Sequence, residues 1–91
     1  MSATVRIPTI LRSYTSGAGE VSVDGAKLSE VLDSLEGSYP GIRGRILDES
    51  GALRRFVNVY VGDDDVRFTG GLDAEVPEGA RISIIPAVAG G

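Results

Sequence analysis

Polar and apolar residues alternate along Thr4-Val5-Arg6-Ile7, the two-residue period of a strand with one buried face. Residues 13–19, rich in Ser, Thr and Gly, predict a turn. Glu20-Val21-Ser22-Val23 alternates again, so the first two strands are expected to form a hairpin that ends at Asp24-Gly25. From Lys27 the period lengthens. Leu28, Val31, Leu32 and Leu35 fall at i, i+3, i+4 and i+7 and make the apolar stripe of a helix, with Ser29, Glu30, Asp33, Ser34 and Glu36 on its other side. Gly37 predicts the stop, and Pro40-Gly41 marks the helix as over.

Residues 42–53 have no period and read as irregular, with Gly41, Gly44 and Gly51 at turns. Residues 55–61 carry the strongest strand pattern, and Gly62-Asp63-Asp64 turns the chain into a short Val66-Arg67-Phe68 segment. Thr69-Gly70-Gly71-Leu72 reads as a turn or a single helical turn, and Pro77-Glu78-Gly79 as another turn. Arg81-Ile82-Ser83-Ile84-Ile85 is the last strand, closed by Pro86, which has no N–H to give a ladder. A lone amphipathic helix must bury its stripe, and a one-sided sheet supplies the surface. The expected fold is α+β, a mixed sheet of four to five strands packed on one main helix, the β-grasp (ubiquitin-like) arrangement. Val5, Ile7, Val21, Val23, Val57, Val59, Val61, Ile82 and Ile84 would face the helix. Arg6, Ser22, Phe56, Asn58, Tyr60, Arg81, Ser83 and Ile85 would face away. Phe56, Tyr60 and Ile85 are large and apolar for an open face, so they mark a candidate partner-binding patch, with cover by loops as the alternative.

With no internal repeat or linker, the chain divides into one domain, residues 1–86, and a C-terminal tail, residues 87–91. Its 91 residues and 42% hydrophobic content allow one modest core. The formal charge of −4 argues against a general affinity for nucleic acid or an anionic membrane. Arg6, Pro8 and Arg12 interrupt residues 1–12, so no signal peptide is read there and a cytoplasmic location is expected. Absences narrow the chemistry. Without cysteine there is no disulfide, thiolate nucleophile or thiolate metal site, and without histidine the usual neutral-pH acid–base group is missing. The chain is therefore expected not to be an enzyme, and neither a catalytic side chain nor a metal site is assigned.

What remains is the chain end, Ala87-Val88-Ala89-Gly90-Gly91. With glycine at 13 of 91 residues, chance alone gives such a pair at about 2% of places against about 0.5% at average usage, so context has to decide. Here an apolar strand is followed by Pro86, then small residues, then the end. Five residues extend to about 17 Å, and glycine, lacking a side chain, passes through a narrow channel. The terminal carboxylate is a poor electrophile at neutral pH. Activated as an acyl adenylate and attacked by sulfide, it becomes a thiocarboxylate, a way for a protein without cysteine to carry sulfur.

The tail Ile84-Ile85-Pro86-Ala87-Val88-Ala89-Gly90-Gly91 resembles that of the ThiS/MoaD family of bacterial sulfur carriers. So do Phe56-Val57-Asn58-Val59-Tyr60-Val61 with the acidic turn after it, and Pro77-Glu78-Gly79 before the last strand. The resemblance covers essentially the whole chain. Residues 5–12 and Asp65-Val66-Arg67-Phe68 are most similar to the branch serving cysteine biosynthesis. The resemblance implies that an E1-like adenylating and sulfur-transfer enzyme uses ATP to convert Gly91 to a thiocarboxylate. A pyridoxal-phosphate-dependent cysteine synthase would then present an aminoacrylate made from O-phosphoserine, and a zinc metalloprotease would release cysteine and restore the Gly-Gly end. Ala87, Val88, Ala89, Gly90 and Gly91 would enter the partners' active sites. A carrier for thiamin, molybdopterin or another thio-metabolite shares the tail, as does a ubiquitin-like modifier joined to target lysines.

Three other features are weighed against plainer readings. Asp63-Asp64-Asp65 offers oxygen ligands for a hard cation, but turns commonly carry Asp and the solvated turn is favoured. Residues 13–19 lack the lysine of a phosphate-binding loop. Arg43, Arg45, Arg54 and Arg55 form a local basic cluster that could dock an acidic partner surface, with a solvated loop as the favoured reading.

Overall fold

The computed structural model describes residues 2–86. Five strands form one mixed sheet: β1 (Ser2–Arg6), β2 (Glu20–Asp24), β3 (Val57–Val61), β4 (Asp64–Asp65) and β5 (Arg81–Pro86). Their order is β2-β1-β5-β3-β4. The central pair, β1 and β5, is parallel, with Val5 opposite Ile82, and the other pairings are antiparallel. The first and last strands of the chain thus lie side by side in the middle of the sheet. Helix α1 (Leu28–Ser38) packs its stripe, Leu28, Val31, Leu32 and Leu35, into the same buried cluster as Val5, Val59 and Ile82. This is the β-grasp arrangement, and the helix-facing set expected from alternation is buried at every position except Val61, which is half-buried.

Burial of one sheet face and one helix stripe fixes register, because slipping a strand by one residue would turn its apolar set to water. Local contacts sharpen the helix start. Glu30 Oε1 accepts the N–H groups of Ala26 at 2.8 Å and Lys27 at 3.3 Å, so the first turn is tied to the chain that enters it. A Cβ on Gly25 would lie 2.6 Å from the Val31 nitrogen. Glycine is required here by close approach of strand end and helix, not by its backbone angles.

Several sequence expectations need correction. Residues 13–19 are not a simple turn, since a 3-10 helix (Thr9–Thr15) occupies most of the β1–β2 connection and buries Leu11 and Thr15. The turn proper comes at Ser16 and Gly17, both with positive φ. Gly37 does not stop α1, which runs one residue further, to Ser38. Termination comes instead at Tyr39, which leaves the helical region at φ −135 and ψ 78, because the proline after it disfavours that region. The segment 42–53 is not irregular throughout. Residues Arg43–Ile46 form a short helix, α2, Leu47 bridges Leu53, and Ile42, Ile46 and Leu47 are buried. The strand expected at residue 55 begins at Val57, leaving Phe56 outside it. Gly71–Asp73 is a single 3-10 turn, in line with the helical turn read at residues 69–72, and Val66–Phe68 forms another.

Candidate functional site

Gly91 and the tail residues Ala87, Val88, Ala89 and Gly90 lie outside the described residues. The structure therefore defines the platform from which they depart. That platform is the end of β5, a strand hydrogen-bonded on both sides, to β1 and to β3. Gly62 donates its N–H to the Arg81 carbonyl at 2.8 Å. Counting along the alternating antiparallel ladder makes Val57 opposite Pro86 a pair that exchanges no hydrogen bond. The missing N–H of Pro86 thus costs the β3–β5 ladder nothing, and β5 can carry its pairing to the last described residue.

On the face of the sheet away from α1, Asn58 stands opposite Ile85 and Tyr60 opposite Ser83. Tyr60 and Ile85 are therefore diagonal neighbours, near enough for long side chains to cooperate. Ile85 is 48% exposed and Phe56 52%, while Tyr60 is half-buried. Phe56 sits in the turn before β3, at the same end of the sheet as Pro86. Arg6, opposite Ser83 on the other side of β5, is exposed. The result is a mixed surface, apolar at Ile85 and Phe56 and polar at Asn58, Ser83 and Arg6, leading to the root of the tail.

The basic cluster read from sequence divides. Arg43 turns to α1, pairing with Asp33 at 3.3 Å, and its N–H donates to Glu36 at 2.9 Å. Arg45 and Arg54 border the groove that contains Val57, Ile84 and Pro86. Arg55 is exposed. Of the three consecutive aspartates, Asp64 and Asp65 form β4, and Asp65 accepts the Arg67 N–H at 2.9 Å to cap the next turn. Among the described residues no group of three acidic side chains converges as a metal site.

Sequence reasoning missed two contributors, Ile10 and Arg67, and one exposed aromatic elsewhere on the surface, Phe68. Ile10 is 70% exposed and borders the tail root, and Phe68 is 87% exposed. Neither shows in strand alternation, because both lie in 3-10 turns. Arg67 donates to the Val57 carbonyl at 2.7 Å and to the Arg54 carbonyl at 2.8 Å. Backbone acceptors leave no signature in a sequence. Among the described residues no helix is long and apolar enough to cross a membrane.

Known proteins share this architecture. The sequence pattern of the ThiS family matches residues 5–91. The sulfur carrier protein CysO of Mycobacterium tuberculosis is 52% identical over 93 aligned positions spanning all of both chains, and its crystal structure superposes with a TM-score of 0.91, covering 94% of this chain and 99% of that one at 50% identity. CysO in the BexX/CysO complex of Amycolatopsis orientalis is 52% identical, with a TM-score of 0.92 over 98% of this chain and 99% of that one. Small archaeal modifier protein 3 of Haloferax volcanii is 37% identical over 68 residues, 75% of this chain and 73% of its own.

Proposed function

The chain belongs to the ThiS family of ubiquitin-like sulfur carriers, and from that membership we propose that it carries sulfur as a thiocarboxylate on Gly91 for the synthesis of cysteine. The observation that carries this reading is identity of 52% along the whole length of CysO, with a family match that runs through Gly90 and Gly91. The absence of cysteine and histidine from the chain supports a carrier acted on by enzymes, with no catalytic side chain and no cofactor of its own.

In the first step the Gly91 carboxylate attacks the α-phosphate of ATP held by an E1-like enzyme, forming the acyl adenylate and releasing pyrophosphate. A sulfur donor then attacks the acyl carbon. With sulfide as that donor, the carbon–oxygen bond to AMP breaks, AMP leaves with the bonding pair, and loss of the sulfur-bound proton leaves the thiocarboxylate. The thiocarboxylate sulfur adds to the aminoacrylate that a pyridoxal-phosphate-dependent cysteine synthase forms from O-phosphoserine. The resulting thioester shifts to an amide, and a zinc metalloprotease hydrolyses that amide. A relative seen in complex with BexX supports a life spent docked on partner proteins. The patch at Phe56, Tyr60 and Ile85 is assigned to that docking.

Intact mass after incubation with the activating enzyme, ATP and a sulfur donor tests the reading. Exchange of one oxygen for sulfur at Gly91 is expected, and deletion of Gly91 or addition of a residue after it abolishes the exchange without moving the melting temperature. An unmodified mass in the wild-type chain defeats the proposal. Cysteine formation is tested by adding O-phosphoserine and the synthase and looking for a cysteine adduct. The similarity to small archaeal modifier protein 3 favours a second reading, conjugation to lysines. Because Arg81 is the last basic residue, trypsin would leave residues 82–91 on each modified lysine, a remnant that mass spectrometry recognises.

A further inference from the structure

Two grooves flank Pro86, and they carry a charge pattern the sulfur chemistry does not use. On one side Arg6 and Arg12 border a groove with Pro8, Ser83 and Ile85. On the other, Arg45 and Arg54 border one with Ile10 and Val57. Among the described residues no carboxylate borders either groove, although the chain holds 13 acidic residues against 9 basic ones. The opposite end of β5 reverses the sign. There Asp64, Asp73, Glu75 and Glu78 surround a groove whose one base is Arg81. Strand β5 therefore runs from an acidic end to a basic end, and the tail leaves from the basic one.

The arginines at the tail root form no ion pair among the described residues; Glu20, which stands across β1 from Arg6, pairs with Arg81 instead. Arg12 donates Nε to the Ile7 carbonyl at 3.1 Å. Arg54 donates Nε and Nη2 to the Gly44 carbonyl at 3.0 and 2.8 Å. Carbonyl partners fix a guanidinium without cancelling its charge. Among the described residues the ion pairs are Arg43 with Asp33 and Arg81 with Glu20, so none of the four is paired. Asp48 feels the Arg54 charge but borders neither groove. Arg6, Arg45 and Arg54 are exposed, and Ile10 projects beside Arg45 and Arg54 at 70% exposure.

We propose that Arg6, Arg12, Arg45 and Arg54 form a basic collar that docks on an acidic rim around the tail-receiving channel of the activating enzyme, with Ile10 as its apolar contact. This rests on the sulfur-carrier reading. Five residues separate Pro86 from the terminal carboxylate, a span of at most about 17 Å. The collar therefore meets the partner at the mouth of the channel while the carboxylate reaches the chemistry at its depth. Charges so placed speed encounter and orient the tail more than they tighten the final complex. The acidic groove at the far end of β5 would repel the same rim and disfavour docking backwards.

The test measures association of the full-length chain with its purified activating enzyme by stopped flow over a range of salt concentrations. In Arg6→Glu/Arg45→Glu, residues chosen because they make no side-chain hydrogen bond among the described residues, the association rate should fall about tenfold or more at low salt. The salt dependence should flatten, while turnover at saturating carrier stays within about twofold. If that pair lowers the melting temperature, Arg6→Gln/Arg45→Gln reads the same change at smaller size. A wild-type association rate and salt slope in either variant would overturn the collar while leaving the carrier chemistry intact. A wild-type chain that the enzyme neither binds nor adenylates would defeat both.

Discussion

The Arg67 guanidinium closes the open edge of β3 by donating Nη2 to the carbonyl of Val57 at 2.7 Å. Among the described residues β4 pairs only with Tyr60 and Val61, and no strand lies along the outer edge of β3 near Val57. Arg67 replaces that strand. The same Nη2 donates to the Arg54 carbonyl at 2.8 Å, and Nη1 bonds the Asn58 side chain. Because Val57 lies opposite Pro86, this one side chain steadies the ladder end from which the tail departs.

Replacing Arg67 with Ala should therefore destabilise the fold by about 1.5–3 kcal/mol, the usual range for hydrogen bonds to a charged group. Arg67→Lys should recover only a minor part, since an ammonium cannot reproduce the planar fork. Urea denaturation of the three proteins decides it. Equal stability of the Lys variant and the wild type would show that charge alone suffices.

Ile85→Asp should weaken binding to the activating enzyme by about tenfold or more while leaving the fold intact, because Ile85 is half open to solvent beside the tail root. It is a cleaner probe than Tyr60→Asp, which would set a new carboxylate directly across from Asp65 and confound docking with stability. Calorimetric titration gives the affinity, and the melting temperature gives the control. Unchanged affinity would remove Ile85 from the docking surface.

Gly25→Ala should cost about 1–3 kcal/mol, the range for forcing a methyl group into a packed site. The added Cβ meets backbone at Val31, 2.6 Å away, and not a yielding side chain tip. Gly37→Ala is the counterpart. A Cβ there meets nothing within 4 Å and the residue is helical, so a gain of about 0.5–1 kcal/mol is expected. Thermal melts of the pair should move in opposite directions.

Glu36 accepts the N–H groups of Gly41 and Arg43 at 2.8 and 2.9 Å. These bonds, Gly41 first, hold its carboxyl below the usual value of 4.5. A carboxyl with a lower pKa folded than unfolded adds stability above its unfolded value and loses it as pH falls through the folded one. Glu36→Gln should therefore flatten the acid limb of the stability curve, with the difference from wild type shrinking below about pH 4. Chemical denaturation from pH 7 to pH 3 checks this. A constant difference across that range would show that the contribution does not depend on ionisation.

The local pattern of the chain determined the helix stripe at Leu28, Val31, Leu32 and Leu35, the alternating strands, and the chemistry open to a terminus that ends in Gly90-Gly91. Those features depend on spacing along the backbone, and spacing is written in the sequence. Tertiary structure alone decided that β5 lies between β1 and β3, that Ile42, Ile46 and Leu47 join the core from a segment without a period, and that Arg6, Arg12, Arg45 and Arg54 gather around Pro86. The physical reason is that these relationships join residues far apart in the chain, through strand pairing and through backbone carbonyls that every residue possesses alike.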